Sequence, residues 1–246
     1  MIREWLPRCK THLIALAAVV VVCLLLFLGV KEVTSHLRLV YPIQGGRDGI
    51  GELVATSRVC QTFVSQYNNL NRVDVMMSNY GRQNSGSFVF YLRADTNHLS
   101  DPKDEQAIVT LTPDASIVKS TDYISFDFAP IPDSAGRSYA FCLEAPQAEL
   151  SNAITAVGIL GDTYPDGEAI FREMWGQGIG VSDLDFRLGY AFSPWDRLFV
   201  FADLLARYKP LLCGDWRFYA LIGIAYLTLL YALFLKIVRN VTSTQE

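Results

Sequence analysis

Six carboxylates crowd one stretch of this chain: Asp162, Asp166, Glu168, Glu173, Asp183 and Asp185 all fall between Gly161 and Gly189. Oxygen ligands presented from loops suit calcium, so Asp162, Asp166 and Asp183 form a candidate metal set, although no EF-hand spacing is present. Two such carboxyl groups facing one cleft could instead serve as the acid and base of glycoside hydrolysis. The plainer expectation is a hairpin extension whose turns are simply solvated. A second group is aromatic and basic. Tyr80, Arg82 and Trp175 could line a sugar-binding face, because aromatic rings supply contact area there, or they could be packing aromatics. Nucleophilic chemistry has less to draw on. His12, His36 and His98 are scattered, and no Ser/His/Asp or Cys/His set is evident. Gly176-Gln-Gly-Ile-Gly180 lacks the helix start with Lys-Ser/Thr that a nucleotide loop requires. Nothing in the chain calls for a cofactor.

The elements that must position these residues begin with two apolar runs. The chain has 246 residues, of which 51% are apolar, and its mean hydropathy is positive. Leu13–Val30 and Phe218–Leu235 are each uncharged over 18 residues. At ~1.5 Å per residue such a run nearly crosses a ~30 Å hydrocarbon core. Trp216, Tyr219 and Tyr231 lie near the ends of the second run, where amphipathic rings favour the interface. A cleaved signal peptide is the rival reading of the first run. Its length and the poor cleavage site at Lys31-Glu-Val33 favour a retained anchor. The net charge of −4 offers no basic surplus for phosphates, so nucleic-acid binding is not expected. Basic residues tie between the outer tails and the flanks of the middle domain. The short N-terminal tail, with Arg3, Arg8 and Lys10, then decides the orientation: both termini cytoplasmic and the middle domain outside.

These boundaries divide the chain into a tail at 1–12, a span at 13–30, a linker at 31–49, a β domain at 50–192, an amphipathic helix at 193–209, a second span at 216–236 and a tail at 237–246. Within the β domain, strands are expected at Ile50–Val54, Val59–Ser65, Leu70–Met77, Ser87–Leu92 and Ile108–Leu111. Pro113–Val118 reads as a turn or single helical turn, and Asp95–Gln106 as a loop. Two apolar-alternating runs between Tyr123 and Glu144 flank a turn rich in Pro, Asp, Ser and Gly, and Ala153–Leu160 closes the series. Short strands at this spacing suggest an antiparallel sandwich or jelly roll. The fold class is therefore mainly β, a jelly-roll-like sandwich between two transmembrane helices.

The ordered set Gln61-Thr-Phe63, Leu70/Val73/Val75, Phe126-x-Phe128, Asp133-Ser-x-Gly136, Tyr139-x-Phe141, Asn152-Ala-Ile154, Tyr164-Pro-Asp-Gly167 and Asp183-Leu-Asp-Phe186 resembles the extracytoplasmic β-sandwich of bacterial envelope proteins. That domain is often appended to multi-span glycosyltransferases and also occurs in two-span proteins. The resemblance covers Gly51 to Tyr190. It implies a bacterial inner-membrane location and a jelly-roll-like fold. It does not carry over glycosyl transfer, because the many-span catalytic body is lacking. In such a fold the strands of Cys60 and Cys142 can be neighbours. Either they form a disulfide in an oxidising space or they are two separate buried thiols. The chain's five cysteines include no CxxC pair. Cys23 lies within the first span, and Cys9 and Cys213 lie near the membrane, where Cys9 is either acylated or a plain thiol.

Ser193-Pro-Trp-Asp196 is a strong helix start, and Trp195, Leu198, Phe199, Ala202 and Leu205 then fall on one stripe. That helix could lie in the membrane interface, dock beneath the sandwich or meet a partner subunit. Three functions remain open. The first is a non-catalytic envelope module that binds a protein or glycan beside a membrane complex. The second is a membrane-tethered carbohydrate-active enzyme of envelope polysaccharide metabolism. The third is an accessory subunit whose spans, with small residues at Ala15, Ala17, Ala18, Gly223 and Ala225, pack against an integral membrane partner in the lipid bilayer.

Overall fold

The computed structural model describes residues 5–35, 39–40, 46–94, 107–173, 180–206, 209 and 211–243. The chain divides into two compact units, one made of Met1–Leu37 and Phe192–Glu246 and the other of Arg38–Ala191.

The first unit is helical. Its elements are α1 (Trp5–Ser35), α2 (Pro194–Ala206) and α3 (Trp216–Ser243). Both α1 and α3 contain a segment long and apolar enough to cross a membrane, Thr11–Glu32 and Trp216–Val241. Each helix runs past the expected span, because nothing in its flanking sequence breaks it. Their large apolar side chains face outward: Leu25 is 64% and Leu229 69% exposed. The helices are antiparallel. His12 and Tyr231 share a 2.8 Å hydrogen bond near one end. At the other end Arg197 of α2 donates to the Lys31 carbonyl of α1 (3.2 Å), and Phe199 of α2 meets Trp216 of α3 edge-on. The start of α2 is capped reciprocally, as its sequence predicts. Ser193 Oγ accepts from the Asp196 amide, and the Ser193 amide donates to Asp196 Oδ2.

The second unit is built from two antiparallel sheets. Its strands are β1 (Leu39–Val40), β2 (Arg47–Gly49), β3 (Arg58–Val64), β4 (Leu70–Ser78), β5 (Val89–Arg93), β6 (Ala107–Leu111), β7 (Asp122–Ile131), β8 (Ser138–Glu144), β9 (Thr155–Leu160), β10 (Ala169–Arg172), β11 (Val181–Leu184) and β12 (Phe186–Tyr190). One sheet runs β1-β12-β4-β9-β11, with β7 also on β4 and β2 also on β9; the other runs β10-β3-β8-β5-β6. A single apolar cluster draws on both. Phe90 of β5 stacks on Phe126 of β7 with centroids 4.1 Å apart, and Phe141 of β8 meets Phe186 of β12 at 5.6 Å. The two central runs thus become β7 and β8 in different sheets, and the Pro/Asp/Ser/Gly turn carries the chain from one to the other.

Two expectations change. Ile50–Val54 is not a strand: pairing begins within the expected linker, at β1 against β12 and β2 against β9, and Ile50 and Leu53 are core residues. The stretch from Gly161 to Gly189 is not an extension beyond a closed series. It supplies β10 to one sheet and β11 and β12 to the other, and buries Leu184, Phe186 and Leu188. Their strict alternation is a strand signal, which the surrounding Gly and Asp residues obscure. The expected loop Asp95–Gln106 lies outside the described residues.

Candidate functional site

The turn after β4 builds a cleft. Asn79 shapes it: Oδ1 accepts the Gly81 amide at 3.0 Å, while Nδ2 donates to the carbonyls of Arg82 (2.6 Å) and Lys119 (3.0 Å). Tyr80 and Gly81 both take positive φ, 55° and 71°, which turns the chain sharply enough to bring Arg82 back over it. Arg82 pairs with Glu52, donates to the Ala153 carbonyl at 2.8 Å and sets its guanidinium 4.9 Å from the centre of the Tyr80 ring. Ser116, within the short 3₁₀ turn Ala115–Ile117, and Lys119, just after it, also line the cleft. The space enclosed is about 620 Å³, lined chiefly by Asn79, Arg82, Gln83, Asn84, Ser85 and Lys119.

Asn84 is the distinctive residue of this cleft. It is buried, only 5% exposed. Its Nδ2 donates to the carbonyls of Ala153 (3.1 Å) and Asn79 (3.4 Å). Both partners are acceptors, so the amide orientation is settled, and the carbonyl Oδ1 is left buried with no donor among the described residues. An unsatisfied buried acceptor costs roughly 1–3 kcal/mol unless a ligand or water supplies the missing hydrogen bond. Arrayed amides, hydroxyls and an ammonium group are groups that recognise a polar, hydroxyl-bearing ligand.

Sequence reasoning placed Tyr80 and Arg82 together, and they are together; Trp175 lies outside the described residues. Asn84 was missed. Its signal is the position of two carbonyls, one five residues away and one 69 residues away, and no local pattern carries the second.

The carboxylates do something else. Asp162 and Asp166 are exposed, whereas Asp183 is 1% exposed. Asp183 Oδ2 accepts the amides of Thr163 (2.9 Å) and Tyr164 (3.0 Å), and Oδ1 accepts from Gln61 Nε2 at 3.3 Å. These donors make it a strut beneath the 163–164 turn rather than a metal ligand. Among the described residues no group of three His, Cys, Asp or Glu side chains converges to hold a metal. Asp185, also 1% exposed, accepts from Arg47 Nε and from the Tyr123 hydroxyl, each at 2.6 Å. Arg187 lies 3.5 Å over the Tyr123 ring. Burial, reinforced by the Asp185 hydrogen bond, pushes the Tyr123 phenol up from its ordinary value, against the opposing pull of Arg187. The same carboxylate raises Arg47, chiefly through their hydrogen bond. Cys60 and Cys142 face each other across β3 and β8, 4.0 Å apart at Cα, and are joined in a disulfide. No protein-family model matches this chain, and no curated protein matches it.

Proposed function

We propose that the chain is a membrane-anchored, non-catalytic accessory protein of the bacterial inner membrane. Two spans hold a jelly-roll-like sandwich outside the cytoplasm, with both termini inside, and the cleft between the 79–85 turn and the 116–119 segment binds a glycan or partner protein beside a membrane complex. The observation that carries the reading is the polar cleft itself, about 620 Å³, lined by Asn79, Gln83, Asn84, Ser85 and Lys119. The exposed side chains of Gln83, Ser85 and Lys119 offer partners to sugar hydroxyls, and the Tyr80 ring beside Arg82 is half-exposed for a sugar face. Three further features support the placement. The antiparallel pairing of α1 and α3 agrees with both termini lying on one side. The basic N-terminal tail favours the cytoplasm for that side. The Cys60–Cys142 bridge belongs in an oxidising space.

The enzyme reading draws less from the geometry. Asp183 and Asp185 are buried and fully engaged with neighbouring donors, so neither is poised to protonate a glycosidic oxygen.

The test uses the full-length protein in mild detergent on a glycan array, alongside a pull-down analysed by mass spectrometry. Binding to one glycan class that Gln83→Ala together with Lys119→Ala weakens at least tenfold, with an unchanged melting temperature, supports the cleft as the site. An array without signal, together with a protein that comes down alone, overturns the reading. Glycan turnover lost on Asp183→Asn would replace it with the enzyme.

A further inference from the structure

Among the described residues most of the stripe on α2 is left uncovered. Trp195 is 73%, Leu198 38%, Phe199 53% and Leu205 42% exposed, while Val200 and Ala206 on the same helix are buried. The position of α2 says what surrounds the stripe. Arg197 donates to the carbonyl of Lys31, the first charged residue after the uncharged run of α1. The Phe199 ring lies 5.2 Å from that of Trp216, the residue that opens α3. The helix therefore touches α1 where its apolar run ends and α3 where its own begins. That level is the boundary between hydrocarbon and water, and Trp216 marks it as aromatic belts do.

We propose that α2 lies in the membrane–water interface, with Trp195, Leu198, Phe199 and Leu205 seated among lipid headgroups and the upper acyl chains. It forms a collar that sets the depth of both spans. The charges of α2, Asp196, Arg197 and Asp203, lie off the stripe and carry no cationic excess. The occupant is thus the apolar margin of a bilayer rather than an anionic headgroup, and a zwitterionic membrane is sufficient. This inference rests on the reading of α1 and α3 as spans.

The experiment keeps the two apart. The full-length protein, with Trp5, Trp175 and Trp216 each changed to Phe so that Trp195 alone reports, is reconstituted into phosphatidylcholine vesicles containing lipids brominated near the headgroup or near the chain end. A second protein with all four tryptophans changed to Phe and Leu229→Trp reports from the middle of α3. The expected result is that shallow bromines reduce Trp195 emission at least twofold and more than deep bromines do, while Leu229→Trp shows the reverse order. If Leu229→Trp is quenched by deep bromines but Trp195 by neither set, the interfacial helix is overturned and the spans stand. Trp195 shielded from both lipids and aqueous acrylamide would mean that a second copy or a partner subunit covers the stripe, which also overturns it. If Leu229→Trp is not quenched, span and collar fall together.

Discussion

Asp185 Oδ1 accepts the hydroxyl of Tyr123 at 2.6 Å, and the two residues join strands that are not neighbours. Asp185 stands at the break between β11 and β12, where the chain changes partner. Its amide donates to Val157 of β9 (2.9 Å), and its carbonyl accepts from Met76 of β4 (2.8 Å). Its side chain reaches β7 through Tyr123 and β2 through Arg47. One residue thus ties four strands of the larger sheet. Asp185→Asn replaces one acceptor oxygen by a donor that faces a donor. The expected loss is roughly 2–3 kcal/mol, and Tyr123→Phe should lose about 1–2 kcal/mol. The denaturant midpoint of the full-length protein in detergent measures both. An unchanged midpoint for Asp185→Asn would show that the backbone bonds alone hold the junction.

The same pair makes stability depend on alkaline pH. A phenol raised above its unfolded value of about 10 holds its proton more tightly in the folded state. Its stabilisation is fully present below about pH 10 and is lost as pH rises through the folded value. Tyr123→Phe should therefore flatten the fall in melting temperature above pH 10 without abolishing it, because burial also raises the Tyr139 phenol. Identical slopes for the two proteins would remove Tyr123 from the account.

What the sequence made legible follows from how far each signal reaches along the chain. The two long apolar helices were readable because eighteen uncharged residues in a row need no partner to be interpreted. The cap Ser193–Asp196 was readable for the same reason: its hydrogen bonds close within one turn. The role of Asp183 was not, since its donors include Gln61, 122 residues away. A carboxylate that accepts from buried amides and one that binds calcium look alike until those amides are placed. The orphaned Asn84 carbonyl and the hub at Asp185 likewise exist only once sheet pairing has brought remote backbone together.

Two glycines are demanded by close approach rather than by a turn. A Cβ at Gly158 would fall on the Val181 side chain, and one at Gly167 on the backbone carbonyl of Thr62. A side chain can rotate away, but a strand backbone cannot move without its neighbours. Gly158→Ala should cost about 1–2 kcal/mol and Gly167→Ala about 3 kcal/mol. Thermal unfolding of the two variants checks the order. The reverse order would mean that β10 shifts easily against β3.

The hydrogen bond between His12 and Tyr231 joins residues 219 apart at one end of the α1–α3 pair. Such bonds within a membrane are worth about 0.6 kcal/mol on average, so Tyr231→Phe should loosen the pair without separating it. A disulfide trap between Leu16→Cys and Leu227→Cys, whose native side chains border a common apolar crevice, reports the effect. Its rate should fall by about twofold to threefold in the Tyr231→Phe background. No change would place the hold on the pair elsewhere, at Arg197 and Phe199.

The Cys60–Cys142 bridge closes a sequence separation of 82 residues, and both cysteines are at most 1% exposed. Closure of so long a loop restricts the unfolded chain by about 4 kcal/mol in the chain-entropy account. Cys60→Ala with Cys142→Ala should lower the unfolding free energy by that order, less whatever the repacked alanines recover. Burial between β3 and β8 also screens the sulfurs from reagent. In the native protein, iodoacetamide after mild reductant should modify Cys213, which is exposed, while Cys60 and Cys142 stay unlabelled until denaturant is added. Labelling of the pair under native conditions, read by peptide mass spectrometry, would show that β3 and β8 part well below the global unfolding free energy, and that the bridge staples a region the sheet itself does not hold closed.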